Sequence, residues 1–242
     1  MKINKISESG VNQVLGIVQI VFMILLLAYV YNLNTQLTRI NKKLSAISNT
    51  GTKTPGTIKI NPDSRSPTMG TGTATVTMTI FSDFECSFCK VFATDIFPRL
   101  KKQYVDKGLM QVNFRHLPLA IHKNALMAAE ASACINEQGK FWDLHDYLFK
   151  NQEKLNNNLI NNWASDNNID TAKLAGCIIN HTYKTKVDKD IDEANSAGIQ
   201  GTPAIIINGR MVMGAKPFEY FAEVIDKEIA KTPGRTAAET CN

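Results

Sequence analysis

Val76-Thr77-Met78-Thr79-Ile80-Phe81 is an apolar, β-branched run, and after four intervening residues comes Cys86-Ser87-Phe88-Cys89, followed directly by a helix-like stretch from Lys90 to Lys107. A strand that delivers a Cys-x-x-Cys pair to a helix start decides how the chain reads. Two residues between cysteines on a first helical turn bring both sulfurs within disulfide reach. The first sulfur then faces unpaired backbone N–H groups and the positive end of the helix dipole, which favours the thiolate. Thiolates, not thiols, attack disulfides, and such motifs draw cysteine from a pKa of about 8.5 to roughly 3.5–7.5. The pair therefore reads as a thiol–disulfide redox centre, with Cys86 the exposed, low-pKa nucleophile and Cys89 its shielded partner.

Two other readings compete. Half of a zinc site needs two more ligands at regular spacing, but His116 and His122 lie beyond zinc-finger spacing and no second Cys-x-x-Cys exists, so no metal is expected. Two incidental core cysteines would also fit the residues, since free Cys is often buried. The strand and helix flanking the motif favour redox chemistry.

With 242 residues the chain can hold one sizeable domain plus appendages. Its net charge of +5 is spread along the sequence. No basic stripe with interleaved aromatics appears, which argues against nucleic acid as a partner. Of the remaining cysteines, Cys134 and Cys177 lie in separate helix-like segments. They form either a structural bridge or two buried thiols. Cys241 stands alone in a tail, residues 232–242.

Val14 to Tyr31 runs for about 18 residues with only Gln19 strongly polar, roughly 27 Å as a helix and close to a bilayer core. The run ends in Ala28-Tyr29-Val30-Tyr31-Asn32, which lacks the small-residue pattern of a cleavage site. An uncleaved anchor over 14–33 is expected, with 1–13 cytoplasmic. Lys2 and Lys5 precede the span while Arg39, Lys42 and Lys43 follow it, so the charge count leans toward the opposite orientation. A Cys-x-x-Cys domain works in an oxidising compartment, and that outweighs the count.

Leu33, Leu37, Ile40, Leu44 and Ile47 alternate spacings of four and three, which fits a short coiled coil over 34–48 and a homodimer through 33–47. A frayed extension of the anchor helix fits as well. Residues 49–73, rich in Gly, Thr, Pro, Ser and Asn, read as a flexible linker. The globular domain is expected over 74–231, with strands at Thr75–Phe81 and Leu109–Arg115. Pro98 should kink the helix between them. Five helices are expected between Lys123 and Ala197. Ala204–Ile207 and Arg210–Met213 form a hairpin on Asn208-Gly209, and Pro217 opens a last helix.

In this order the chain resembles the DsbA-like thiol–disulfide oxidoreductases. The resemblance rests on Phe81-Ser82-Asp83-Phe84-Glu85-Cys86-Ser87-Phe88-Cys89-Lys90, on Leu117-Pro118-Leu119 with His122, on Gly139-Lys140-Phe141-Trp142 with His145-Asp146, and on Gly198-Ile199-Gln200-Gly201-Thr202-Pro203-Ala204. It implies an α/β, thioredoxin-like fold with a helical domain inserted at about 118–197, here preceded by the N-terminal transmembrane helix. It implies that Cys86 attacks, that Cys89 resolves the mixed disulfide, and that Pro203 is cis, setting Thr202 beside the sulfurs to meet an extended substrate. Two positions depart from the pattern. Ile80 stands where relatives carry a buried acid that moves the resolving cysteine's proton, leaving Asp83 or Glu85 to substitute. Ser87 stands where relatives often have proline. His145 is assigned to packing, and His116 and His122 receive no catalytic role, since a thiolate at a helix start needs no imidazole.

The function expected is oxidation of cysteine pairs in exported proteins, by a single-pass protein of the cytoplasmic membrane whose catalytic domain faces the periplasm or cell exterior. No cofactor is implied beyond the two sulfurs. A membrane redox partner is expected to reoxidise the pair. The rivals are a dimeric isomerase or reductase and a tethered peptide-binding module without redox turnover.

Overall fold

Strict alternation builds the centre of the sheet. In β2 (Val76–Ser82), Val76, Met78 and Ile80 share one face and are at most 2% exposed. The structure, a computed structural model, describes residues 23, 25–36, 38 and 57–231. β3 (Met110–His116) runs parallel to β2, setting Ile80 opposite Phe114 and Ser82 opposite His116. β4 (Ala204–Ile207) joins the other edge of β2 antiparallel, and β5 (Arg210–Met213) pairs with β4. The hairpin turns on Asn208 and Gly209, whose φ values of 45° and 86° meet the left-handed demand of a two-residue loop. β1 (Thr68–Met69) pairs antiparallel with β3, giving the order β1-β3-β2-β4-β5.

One sheet face packs against the redox helix and α8 (Phe218–Ala230), burying Met78, Ile80, Val112, Ile205, Phe221 and Ile225. α7 (Lys184–Ser196) covers part of the other face, over Phe81, Ala204 and Ile206. Between β3 and β4 lie α3 (Ala125–Asn136), α4 (Phe141–Lys150), α5 (Asn157–Asp166), α6 (Thr171–Ile179) and then α7, with a core of their own around Leu144, Leu148, Phe149 and Trp163. This is a thioredoxin-like α/β fold with a helical insertion.

Pro98 does not simply kink its helix. The chain passes from α1 (Ser87–Val91) through a π-helical turn at Phe92–Ile96 into α2 (Phe97–Leu100), then through a second at Lys101–Val105. A proline ring clashes with the carbonyl four residues back and supplies no N–H. The wider turn before Pro98 accommodates both defects, and the helix runs on.

The expected linker is corrected in its second half. Residues 57–73 are not a free tether, because they lie on the domain and contain β1. The Ile58 N–H donates to Gly209 O at 2.9 Å, the Asn61 N–H to Glu193 Oε1 at 2.7 Å, and the Phe114 N–H to Pro67 O at 2.9 Å. Arg115, 2% exposed, fixes the strap from beneath: its guanidinium donates to Ser66 Oγ, to Asn61 O at 2.7 Å and to Glu193 Oε2 at 3.2 Å, and lies 3.5 Å from Asp190. Lys186, 1% exposed, adds a 2.5 Å pair to Asp190.

The N-terminal unit is helical at 25–36, with Leu25, Leu27, Tyr29 and Tyr31 each more than 60% exposed. Among the described residues no helix is long and apolar enough to cross a membrane. Half of the expected anchor (14–22 and 24), the seam residues Leu37, Ile40, Leu44 and Ile47, and the tail with Cys241 lie outside the described residues.

Cys134 on α3 and Cys177 on α6 are bridged, with Cα atoms 6.1 Å apart and a sequence separation of 43. Closing a loop of that length removes denatured-state entropy worth about 4 kcal/mol in the chain-entropy model. The double replacement Cys134→Ala, Cys177→Ala should lower unfolding free energy by about 2–4 kcal/mol in urea titrations. An unchanged midpoint would mean that the bridge carries no stability.

Candidate active site

The site begins where β2 ends. The Cys86 N–H donates to Asp83 O at 3.2 Å, a tight turn that leaves Cys86 extended (φ −75°, ψ 123°) at the head of α1. Its carbonyl takes the Lys90 N–H at 3.1 Å, the first helical bond. Gln152, just after α4, donates through Nε2 to Phe84 O at 2.8 Å and to Cys86 O at 3.0 Å. Lys90 pairs with Glu153 alongside. The helical insertion thus grips the backbone that presents the sulfurs. Nothing in the sequence marked Gln152, because its partners are backbone atoms far away in the chain.

Cys86 and Cys89 stand as thiols in very different surroundings. Cys86 is the less buried, but at 7% exposure it is not the open sulfur expected from its helix position; Cys89 is 1% exposed. A hydrogen bond from the Cys89 side chain does most to lower the Cys86 pKa, which falls from 9.0 to about 5 against the opposing cost of burial. Thr202 and the backbone N–H groups of Cys89 and Phe88 lower it further. The reverse holds for Cys89: burial and the neighbouring Cys86 push its thiol well above the ordinary value, although Ser82 and the Asp83 backbone hydrogen-bond it. One sulfur is built to be an anion, the other to keep its proton.

The loop before β4 closes over Cys86. The Thr202–Pro203 bond is cis, and the Pro203 carbonyl takes the Gly214 N–H at 2.8 Å. The Cys86 thiol donates to Thr202 O at 3.4 Å. The Thr202 hydroxyl is buried with no other hydrogen-bond partner, leaving it available to the sulfur once the proton is gone.

The two acids offered in place of the missing one are both hydrogen-bonded to groups other than Cys89. Ile80 is buried under the helix. The Asp83 carboxylate accepts the Glu85 N–H at 2.8 Å, the Leu119 N–H at 2.7 Å and His122 Nδ1 at 2.7 Å. Glu85 accepts the Asn124 backbone and side-chain N–H groups. Both acids hold the loop after β3 in place. His122 is raised in pKa by Asp83, Cys86 and Glu85 against its partial burial, so it lies in the field of the site. His145 is 3% exposed among Phe84, Phe114, Trp142 and Phe149 and pairs with Asp146 at 2.8 Å.

A family model described as thioredoxin matches residues 63–227. Disulfide bond formation protein D of Bacillus subtilis (strain 168) is 33% identical over 172 residues, covering 67% of this chain and 77% of that protein. The chain belongs to the DsbA-like thiol–disulfide oxidoreductases. The crystal structure of oxidised BdbD from Bacillus subtilis superposes with a TM-score of 0.62 at 30% identity, covering 69% of this chain and 94% of that one. For Wolbachia pipientis alpha-DsbA1 the TM-score is 0.64 at 26% identity, covering 71% and 94%.

For this DsbA-like chain, the rate of alkylation of Cys86 in the reduced protein should rise with pH through a midpoint of about 5 and then level off. Cys89 should remain unlabelled across that range. Peptide mapping after brief alkylation distinguishes the two, and earlier labelling of Cys89 would reverse the assignment.

Proposed function

We propose that this oxidoreductase introduces disulfides into exported proteins, with Cys86 as the attacked sulfur and Cys89 as its internal partner. The observation that carries this is the placement of the two sulfurs at the head of α1, Cys86 against Thr202 O at 3.4 Å under the cis Thr202–Pro203 bond and Cys89 buried behind it. A substrate thiolate attacks Cys86 of the oxidised pair, forming a substrate–Cys86 disulfide and expelling Cys89. A second substrate thiolate then attacks the substrate sulfur of that mixed disulfide and expels Cys86, whose low pKa makes it a good leaving group. The substrate leaves oxidised, the enzyme is left reduced, and a membrane redox partner takes its electrons.

The surface suits an unfolded client. Phe88 and Val91 beside Cys86 are 64% and 42% exposed. A groove of about 550 Å³ lined by Leu117, Leu119, His122, Leu126, Ile191 and Ile199 runs to Gln200, two residues before Thr202. Apolar exposure of this kind favours binding of extended, unpacked chains.

The same proposal places the chain in the cytoplasmic membrane, anchored through 14–33, with the domain on the oxidising side. The apolar run of the sequence and the exposed apolar side chains of the 25–36 helix support it. The Cys134–Cys177 bridge agrees with an oxidising compartment.

Oxidised enzyme mixed with a reduced, unfolded cysteine-containing protein should produce client disulfides stoichiometrically, and catalytically once an oxidant is supplied. Cys86→Ser should abolish this, whereas Cys89→Ser first loaded at Cys86 with glutathione should exchange it for client, glutathione leaving as thiolate, and accumulate client adducts at Cys86 on non-reducing gels. Client oxidation that survives Cys86→Ser would contradict the proposal.

A further inference from the structure

Two carbonyls converge on one side chain beside the redox pair. Gln152, the first residue of the 3-10 turn Gln152–Lys154 after α4, points its Nε2 at Phe84 O and Cys86 O, 2.8 and 3.0 Å away. Phe84 is 1% exposed and Cys86 7%, so water has little room to replace it. Cys86 O also takes the Lys90 N–H, whereas among the described residues Phe84 O has no other hydrogen bond. Carbonyls held this close need a donor between them, since buried acceptors left unpaired are costly. A carboxamide nitrogen carries two N–H groups and no charge, so it meets both at once. An apolar side chain would pair with neither, and a carboxylate would repel both.

The contact bears on the sulfur because of where it acts. Phe84, Glu85 and Cys86 form the turn between β2 and α1, and the Cys86 N–H closes it on Asp83 O. Gln152 holds the same residue by its carbonyl. With both ends of Cys86 fixed, the direction in which its sulfur leaves the backbone is fixed too. That direction is toward Thr202 O at 3.4 Å and toward the free N–H groups at the start of α1. Of these contacts, only the one from Gln152 comes from the helical insertion.

We propose that Gln152 is a positioning residue for the redox reaction, holding the Cys86 backbone so that the sulfur is received by the helix-start N–H groups when oxidised client is released. In that step a client thiolate attacks the client sulfur of the mixed disulfide. The client disulfide forms, the client–Cys86 bond breaks, and the electron pair stays on Cys86 as thiolate. Gln152 exchanges no proton and touches no reacting atom. It acts on how stable the departing thiolate is, and so on how oxidising the pair is. The helical insertion thereby sets the strength of the oxidant as well as the shape of the site. The low pKa of Cys86 agrees with this, since the Phe88 and Cys89 N–H groups contribute to it only while the backbone keeps them under the sulfur.

The inference rests on the redox reading of Cys86 and Cys89, and its test separates the two. In the full chain, Gln152→Met keeps the length of the side chain and loses both donors. Gln152→Glu keeps its shape and turns lone pairs toward both carbonyls. Each is compared with wild type for Cys86 alkylation across pH, for the ratio of reduced to oxidised pair in glutathione buffers, and for thermal midpoint. Loss of one hydrogen bond's worth of thiolate stabilisation in Gln152→Met should slow alkylation at about pH 5 roughly fivefold and shift the glutathione equilibrium about tenfold toward the disulfide. Gln152→Glu should shift the equilibrium further at neutral pH, where its carboxylate is charged. If Gln152→Met does not fold, Gln152→Glu carries the comparison. A folded variant that melts lower but keeps the wild-type alkylation profile and equilibrium would make Gln152 a stabilising contact alone and overturn the inference. A wild-type pair that forms no disulfide in glutathione buffers would overturn the redox reading itself.

Discussion

Cys86 has to be a stable anion when reduced and a bonded sulfur when oxidised, and much of the fold meets that demand. No full positive charge leads the stabilisation. It comes first from the Cys89 side chain, then from Thr202 and from N–H groups of the first helical turn. Such dipoles act strongly where water is scarce, and at 7% exposure Cys86 has little water around it. The dipoles must therefore be fixed in place. The strand end and the turn at Asp83 fix them from one side, the Thr202–Pro203 loop from a second, and Gln152 of the helical insertion from a third.

The insertion thus does more than enlarge the core. It grips the Cys86 backbone, it carries the Cys134–Cys177 bridge, and its last helix holds Arg115 and the strap at 57–67 through Asp190 and Glu193. Buried ion pairs of this kind add little net stability over an apolar replacement, but they disfavour other arrangements of the strap. Cys89 needs the opposite environment from Cys86. Its burial makes it a poor anion, which drives it either into the disulfide or back to the thiol.

How much of this was legible in the sequence depended on whether the signal was local. The β4–β5 hairpin was readable to the residue, because Asn208-Gly209 is a two-residue turn signal set between two short, mostly apolar runs. The helices of the insertion were found within a few residues, since their apolar faces repeat at helical spacing. β1 was not, being two residues of a polar stretch that become a strand only by pairing with β3. Pro98 signalled a break, and the π turns before and after it let the helix continue. At the site, Cys86 and Cys89 were visible from spacing, and Thr202 and Pro203 from resemblance. Gln152, Ser82 and the strap's contacts with Arg115 were not, because each depends on a partner distant in sequence or on backbone atoms with no residue signature.

If the surroundings of Cys86 favour its reduced, ionised form, the pair is oxidising. The direct measurement is the reduction potential of Cys86–Cys89, equilibrated against glutathione buffers with Cys134 and Cys177 kept bridged. A thiol held near a pKa of about 5 should place it less negative than about −200 mV. A value near thioredoxin's, about −270 mV, would show that the thiolate is not selectively stabilised and would contradict the account.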